Sequence, residues 1–263
     1  MFTEFDKRMK RLEKSFTDIK LLPKCPVVIR LDGKAFHTYT KQFKDKTAPD
    51  PFSEVLHSAF VESCIELAKN VAGCQAIYTQ SDEVSVWLSD EGKSDQSQGW
   101  FDFELQKLIS ISSSILTANF NRIVPSDKLA YFDARAFSIP NKIELNNYFI
   151  WRQQDAVRNS ISMIAQHNFS HKSLMGMSSS QMQERLFQEK QINWNYIDAW
   201  KKRGTTIVKK KYLTNTEYVD NKTKEHKIAE NVVRHKWVKI FPTFTQQAIF
   251  DIIKEDTPVQ QKV

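Results

Sequence analysis

The chain has 263 residues, 41% of them apolar and 12% aromatic, and a formal net charge of +7. That length and apolar content predict one large packed domain, or a domain with an appendage, and exclude a disordered chain. No run approaches the roughly 18 apolar residues of a membrane helix, and the charged opening segment lacks the apolar stretch of a secretory signal. Cys25, Cys64 and Cys74 are an odd set without metal-ligand spacing, as expected of buried thiols in a reducing, cytoplasmic setting.

In chain order, Phe5, Met9, Leu12, Phe16 and Ile19 recur at helical spacing and predict an amphipathic helix over 4–20. Pro23 and Pro26 bracket the entry to a strand over 27–31, which Gly33 breaks just after Asp32. Residues 34–50 are polar and read as a loop or short helical turn. A helix is expected over 51–71, with Phe52, Val55, Leu56, Phe60, Ile65 and Leu67 on its apolar side and Gly73 past its end. A hairpin over 75–88, a polar connection over 89–99, a helix over 104–121 and a strand over 130–137 follow. The order is β–α–β–β–α–β, which predicts an α+β fold: a ferredoxin-like, four-stranded antiparallel sheet with two helices on one face. Nucleotidyl-transferring palm domains share this architecture with many non-enzymes.

Beyond Pro140 the pattern turns helical over 141–169, breaks at Met175-Gly176-Met177, and resumes from a Ser178 cap to Phe187. Residues 205–213 and 233–241 read as strands around a polar stretch, 214–230. This gives a palm-like segment over 1–140 and a helical, basic segment over 141–263. Phe5, Phe16, Phe60 and Phe120 sit on apolar helix faces and are expected in the core. Charge divides unevenly: residues 1–130 carry 17 Lys+Arg against 18 Asp+Glu, whereas residues 131–263 carry 21 against 13. The excess peaks at Lys201-Lys202-Arg203 and Lys209-Lys210-Lys211, with no acid between, and suggests a phosphate-tracking surface for nucleic acid.

The chemistry concentrates in two β-favouring runs, 27–33 and 77–88, each ending or turning on carboxylates. Asp82 and Glu83 fall near the hairpin tip, and a neighbouring strand ends in Asp32-Gly33. Asp32 and Asp82 can each give an oxygen to Mg²⁺, and Gly33, without a Cβ, lets its carbonyl approach an ion. Arg30, Lys34, Lys44 and Lys46 can counter triphosphate charge, and Phe36 or His37 can stack on a base. The alternative is a pair of strand-end aspartates that cap turns. Asp133 and Asp155 are expected in structural ion pairs with Arg135, Arg152 or Arg158, and Trp151 in packing. The remaining histidines show no zinc-ligand spacing.

The segment Leu31-Asp32-Gly33-Lys34-Ala35-Phe36-His37 resembles the RxDGxxFH motif of the tRNA-histidine guanylyltransferase family, which includes guanylyltransferase-like 3′–5′ RNA polymerases. Residues 78–83 resemble its YxQSDE segment, 132–137 its FDxR strand and 147–155 its YxxWRQxD signature. Phe169-Ser170-His171-Lys172 and Lys202-Arg203-Gly204-Thr205 continue the likeness, which covers roughly residues 20–210. It implies that Asp32, the Gly33 carbonyl and Asp82 hold two Mg²⁺ ions, with Glu83 supporting them. It further implies that Lys34, Ala35, Phe36 and His37 line a nucleotide pocket and that Ser81 and Lys44 (or Lys46) contact its phosphates. Arg152, Arg158 and Asn159 would meet a second triphosphate or the RNA 5′ end. His171, Lys172, Lys201–Arg203 and Lys209–Lys211 would follow RNA phosphates. Where family members that add the extra guanosine carry HINNLYN, this chain reads Val157-Arg158-Asn159-Ser160-Ile161-Ser162-Met163, and only Asn159 clearly survives.

That departure favours the guanylyltransferase-like branch, which implies template-dependent 3′–5′ addition of nucleotides, notably from GTP, to a recessed 5′ end of tRNA or other structured RNA. ATP would activate the 5′ end, and the family's habit implies a homotetramer. The alternatives are a dedicated tRNA-histidine guanylyltransferase, a palm-type nucleotidyl cyclase and a non-catalytic RNA-binding protein.

Overall fold

Side-chain alternation in the first strand sets the layering. In the computed structural model, which describes residues 3–43, 48, 51–91, 97–124, 126–254 and 259–260, strand β1 (Val27–Gly33) sends Val27, Ile29 and Leu31 to one face and Val28 to the other. The first face is covered by helices α3 (Glu54–Asn70) and α4 (Leu105–Ile123), whose Phe60, Cys64, Leu67, Leu108, Leu116 and Phe120 join the same buried cluster. The opposite face is covered by α5 (Lys142–Asn168), through Leu145, Tyr148 and Phe149, and by Ile249 and Ile252. The expected pair of helices does lie on one face, and α5 adds a third layer behind the sheet.

Strands β2 (Cys74–Gln80), β3 (Glu83–Leu88) and β4 (Phe132–Ser138) complete the predicted set, in the spatial order β4-β1-β3-β2 with antiparallel neighbours. This is the order that the β–α–β–β–α–β sequence anticipates. The sheet continues past β2 through β5 (Thr205–Val219) and β6 (His226–Ile240). The polar stretch expected between these strands belongs mostly to their ladder, so only residues 220–225 turn. Beyond Val208, β5 has left β2 and pairs with β6 and, at Tyr212–Leu213, with the short β7 (Val259–Gln260). Polar side chains are acceptable there because a two-stranded arm leaves much of its surface in water.

Helix α1 (Glu4–Thr17) starts on a capping box between Thr3 and Asp6, as a designed helix start would, yet buries none of its residues. Phe5 is 60% and Phe16 82% exposed, which overturns their expected place in the core; Phe60 and Phe120 are buried as expected. Helical periodicity shows that a face is apolar, not what covers it. Among the described residues no helix is long and apolar enough to cross a membrane.

A contact of α3 with the start of β5 is among those that tie the second half of the chain to the first. His57 of α3 hydrogen-bonds through Nε2 to Thr205 Oγ1 at 2.8 Å, and its ring stacks on Trp200 at 4.1 Å and 12°. Trp200 belongs to α8 (Ala199–Arg203), which leads directly into β5. Burial, with Lys239 nearby, pushes the His57 imidazole down to about 4. The unfolded chain therefore takes up a proton that the native chain refuses. This contribution to stability is present above the ordinary value of 6.5 and is lost as pH falls from there toward about 4. We predict that His57→Phe loses less melting temperature than wild type between about pH 7 and about pH 5. Equal slopes would clear His57 of any part in acid sensitivity.

Candidate active site

The β2–β3 hairpin closes with two residues, Ser81 and Asp82, between the paired Gln80 and Glu83. Ser81 takes φ +52°, a left-handed conformation that tight hairpin turns demand, and its hydroxyl donates to Asp82 Oδ1 at 3.0 Å. Asp82 is thereby held at the tip, beside the end of β1. A Cβ built on Gly33 would lie 3.0 Å from the Asp82 Cβ and 2.4 Å from Phe36 Cδ2, so only glycine lets the β1 backbone come this close.

Strand register does the rest. Asp32 stands opposite Glu83 on one side and opposite Asp133 on the other. One step back along β1, Arg30 stands opposite Ser85 and Arg135. These residues share the alternation of Val28, Trp87 and Phe137, so they face α5. The result is a carboxylate row, Asp133–Asp32–Glu83, with Asp82 at its rim and an arginine row directly behind. Like charges set opposite one another in a sheet are destabilising. Burial pushes the Asp82 carboxyl above its ordinary value, and the charge of Asp32 adds to that push. Burial also raises Glu83, with Arg152 and then Arg30 pulling against it.

From α5, Arg152 Nη1 donates to Glu83 Oε2 at 2.7 Å, and Arg152 Nη2 lies 3.6 Å from Asp155 Oδ2. Arg158 donates to Asp155 Oδ1 at 2.8 Å, and Arg135 to Asp133 Oδ1 at 3.3 Å. The expected ion pairs of Asp133 and Asp155 are therefore present. Tyr148 and Ser85 share a buried hydroxyl–hydroxyl bond of 2.7 Å beneath the rows. Glu83 Oε1 is buried with no hydrogen-bond partner among the described residues.

The other predicted site residues differ in their surroundings. Phe36 is a core residue, with ring centroids 4.9–5.7 Å from Tyr39, Phe60, Phe120 and Phe132, so its ring has no free face for a base. Its neighbours Lys34 and His37 are exposed, and Ala35 takes φ +51° at the start of α2 (Phe36–Tyr39). Lys44 and Lys46 lie outside the described residues. Arg152 is committed to two carboxylates and is almost fully buried, whereas Arg158 and Asn159 lie on the outer side of α5. His171 and Lys172 are exposed on α6 (His171–Leu174).

The two basic runs are also less free than their sequence suggests. Lys202 is buried, and its Nζ donates to the Asn195 carbonyl at 2.7 Å. Lys201 pairs with Asp198 at 3.2 Å, and Lys210 donates to the Ile252 carbonyl at 2.8 Å. Arg203 and Lys211 are half-buried, and Lys209 is exposed. The Arg203 carbonyl accepts from Tyr78 Oη at 2.7 Å, which fastens the start of β5 beside the hairpin. Gly204 is required there: at φ +73°, a Cβ would meet the Thr79 carbonyl at 2.6 Å. The partnership of Arg30 and Asp32 with Asp133 and Arg135 escaped the sequence reading. The signal was present as R-x-D in β1 and D-x-R in β4, which pair like with like once the strands run antiparallel.

Among the described residues no three His, Cys, Asp or Glu side chains form a metal cluster by themselves. The available set is two carboxylates, Asp32 and Asp82, with the Gly33 backbone. These are hard oxygen donors of the kind that Mg²⁺ takes together with water and substrate phosphate.

Residues 6–140 match the family described as Thg1, tRNAHis guanylyltransferase. A bacterial tRNA(His) guanylyltransferase (Thg1)-like protein solved in complex with ATP is 39% identical, with a TM-score of 0.77 over 93% of this chain and 96% of that one. Such a protein solved with GTP gives 37% identity and a TM-score of 0.72 over 93% and 95%. The tRNA(His) guanylyltransferase of Saccharomyces cerevisiae is 27% identical, covering 72% of this chain and 85% of its own length.

The crowding of carboxylates makes a stability prediction. In chelator, Asp32→Asn should raise the unfolding free energy by up to about 1 kcal/mol, because it removes the middle charge of the row. A lower melting temperature would mean that hydrogen bonds to Asp32 outweigh the repulsion.

Proposed function

This chain belongs to the tRNAHis guanylyltransferase family and is a nucleotidyltransferase, and on that premise we propose that it extends the 5′ end of tRNA in the 3′-to-5′ direction, using the opposite strand as template. The observation that carries the reading is the meeting of Asp32, Gly33 and Asp82 at one spot, from two strand ends far apart in sequence. Two features favour repair of 5′-truncated RNA over addition of a single extra guanosine. Identity is higher to the guanylyltransferase-like protein than to the yeast enzyme, and the segment Val157–Met163 keeps only Asn159 of the family's guanosine-adding motif.

The reaction has two displacements at phosphorus. A 5′-phosphate oxygen of the RNA attacks the α-phosphorus of ATP, and pyrophosphate leaves. The 3′-hydroxyl of the incoming nucleotide, GTP where the template is C, then attacks the adenylylated 5′ phosphorus, and AMP leaves. Asp32, Asp82 and the Gly33 carbonyl would hold two Mg²⁺ ions. When bound, these supply charge neutralisation and a lowered pKa at the attacking oxygen. Lys34 and His37 flank the nucleotide, and the Ser81 hydroxyl fixes the rotamer of Asp82. Arg30 and Arg135 place positive charge behind the carboxylates, which offsets part of their mutual repulsion. The exposed Arg158, His171, Lys172 and Lys209 suit RNA phosphates, with sequence left to base pairing. The exposed apolar side of α1 suits a subunit contact, in keeping with assembly as a homotetramer.

The deciding experiment incubates the protein with ATP, Mg²⁺, labelled GTP and either 5′-truncated tRNA or full-length tRNA-histidine. Extension of the truncated substrate is expected. Labelling of tRNA-histidine alone would favour the dedicated guanylyltransferase. A cyclic nucleotide formed without RNA would favour a cyclase, and no labelled product at all a binding protein. Asp32→Ala and Asp82→Ala should each abolish addition and leave tRNA binding largely intact; retained activity refutes the carboxylate assignment. For RNA affinity against salt, Lys209→Gln should lower the slope by about 1, whereas Lys202→Met should leave the slope alone and lower the melting temperature. The opposite pattern would place Lys202, not Lys209, on the RNA.

A further inference from the structure

The residue that resemblance would set against a triphosphate, Arg152, has no room for one. Its side chain is 7% exposed and that of Glu83 12%, and they meet at 2.7 Å. Its second nitrogen, Nη2, lies toward Asp155, and its guanidinium plane lies 3.6 Å from the centre of the Trp151 ring. One cation thus stands between two carboxylates under an aromatic cover. A phosphate arriving there would face Glu83 and Asp155 and would have to displace Glu83 to reach Nη1. The covering indole, itself 48% exposed, keeps water from the guanidinium face and strengthens its pull on Glu83. Arg152 and Glu83 also lie on different elements, so their bond fixes α5 against the carboxylate hairpin.

We propose that Arg152, covered by Trp151, is a positioning residue that pins Oε2 of Glu83, opposite Asp32 in the sheet, and so leaves the buried and otherwise unpartnered Oε1 as the oxygen that supports a counter-cation of the reacting phosphates. Arg158, six residues further along α5 and open to solvent, is then the arginine of this helix that meets phosphate. The proposal rests on the nucleotidyl-transfer reading and deepens it. An arrangement in which Glu83 acts only while held at Oε2 explains why an acid in a like-charged row needs a buried cation. Without Arg152, nothing holds Glu83 Oε2 in place, and the carboxylate is free to turn away from Asp32.

The test compares wild type, Arg152→Gln, Arg152→Lys, Trp151→Phe, Trp151→Ala, Arg158→Gln, Glu83→Gln and the double variant Glu83→Gln/Arg152→Gln. Arg152→Gln should lower kcat by about 10–100-fold, as loss of a supporting partner does. KM for ATP, and calorimetric affinity for a non-hydrolysable ATP analogue, should stay within about twofold, because a residue that touches no phosphate does not change ground-state binding. Arg152→Lys and Trp151→Phe should retain more kcat than Arg152→Gln and Trp151→Ala. Adding Arg152→Gln to Glu83→Gln should cost no further kcat. Arg158→Gln should instead raise KM for nucleotide or for RNA.

A rise of about tenfold in KM for ATP with kcat retained in Arg152→Gln would overturn the proposal, as that is the signature of direct phosphate contact. Melting curves give a readout free of activity: the double variant should recover part of the melting temperature lost by either single change. Additive losses would overturn the pairing itself. A wild-type chain that melts as expected in this cycle but adds no nucleotide would sink the transfer reading and leave the Glu83–Arg152 coupling standing.

Discussion

Everything at the active site follows from a register that sets like charge opposite like. R-x-D in β1 runs antiparallel to D-x-R in β4, so Asp32 faces Asp133 and Arg30 faces Arg135. The hairpin adds Glu83 on the other side of Asp32 and Asp82 at its rim. A sheet selected only for stability would offset these strands by two residues and set an acid opposite a base, for example Asp32 opposite Arg135. Keeping the unfavourable register concentrates negative charge at one edge, a pattern that marks functional sites because it suits a cation better than a solvated surface does.

The surrounding structure counters that repulsion from three directions. Arg135 bonds Asp133 within its own strand, Arg30 sits one step behind Asp32 and Glu83, and Arg152 reaches in from α5. Beneath them the sheet is anchored on both faces by buried side chains, so the strands cannot slip to relieve the charge. The core even supplies the loop after β1: Phe36 inserts among Tyr39, Phe60, Phe120 and Phe132 and so fixes the exposed Lys34 and His37 on either side of it. Phe36 thus serves the candidate pocket by holding its wall, not by stacking in it.

Much of this was legible in the residues. Strand–helix order predicts the four palm strands and their neighbours, because period-2 and period-3.6 patterns and Pro/Gly punctuation are local properties. The carboxylates at strand ends were readable for the same reason. What failed were inferences from local pattern to surroundings. Phe5 and Phe16 have helical spacing but stay largely exposed, and Lys202 has the composition of an RNA contact but the geometry of a buried strut. The ladder through residues 214–219 and 226–230 was hidden because a two-stranded arm needs no apolar alternation. The carboxylate partners of Arg152, Glu83 and Asp155, do not follow from local pattern, because a guanidinium suits phosphate and carboxylate equally and the choice depends on tertiary neighbours.

The same electrostatics constrain how substrate can bind. A nucleoside triphosphate and a phosphorylated RNA end both bring negative charge to an edge already occupied by Asp32, Asp82 and Glu83. Direct approach is repulsive, and the arginine row lies behind the carboxylates instead of in front of them. On the proposed reading, cations bridging carboxylate and phosphate turn that repulsion into attraction, so ion and nucleotide each raise the affinity for the other by the same factor. The site then assembles only when substrate is present, and the carboxylate crowding that weakens the free protein becomes the source of its dependence on both ligands. The excess positive charge of the second half has a separate task. Part of it holds α8 and β5 in place through Lys202 and Lys210, and on the proposed reading the exposed Lys209 would meet RNA phosphate.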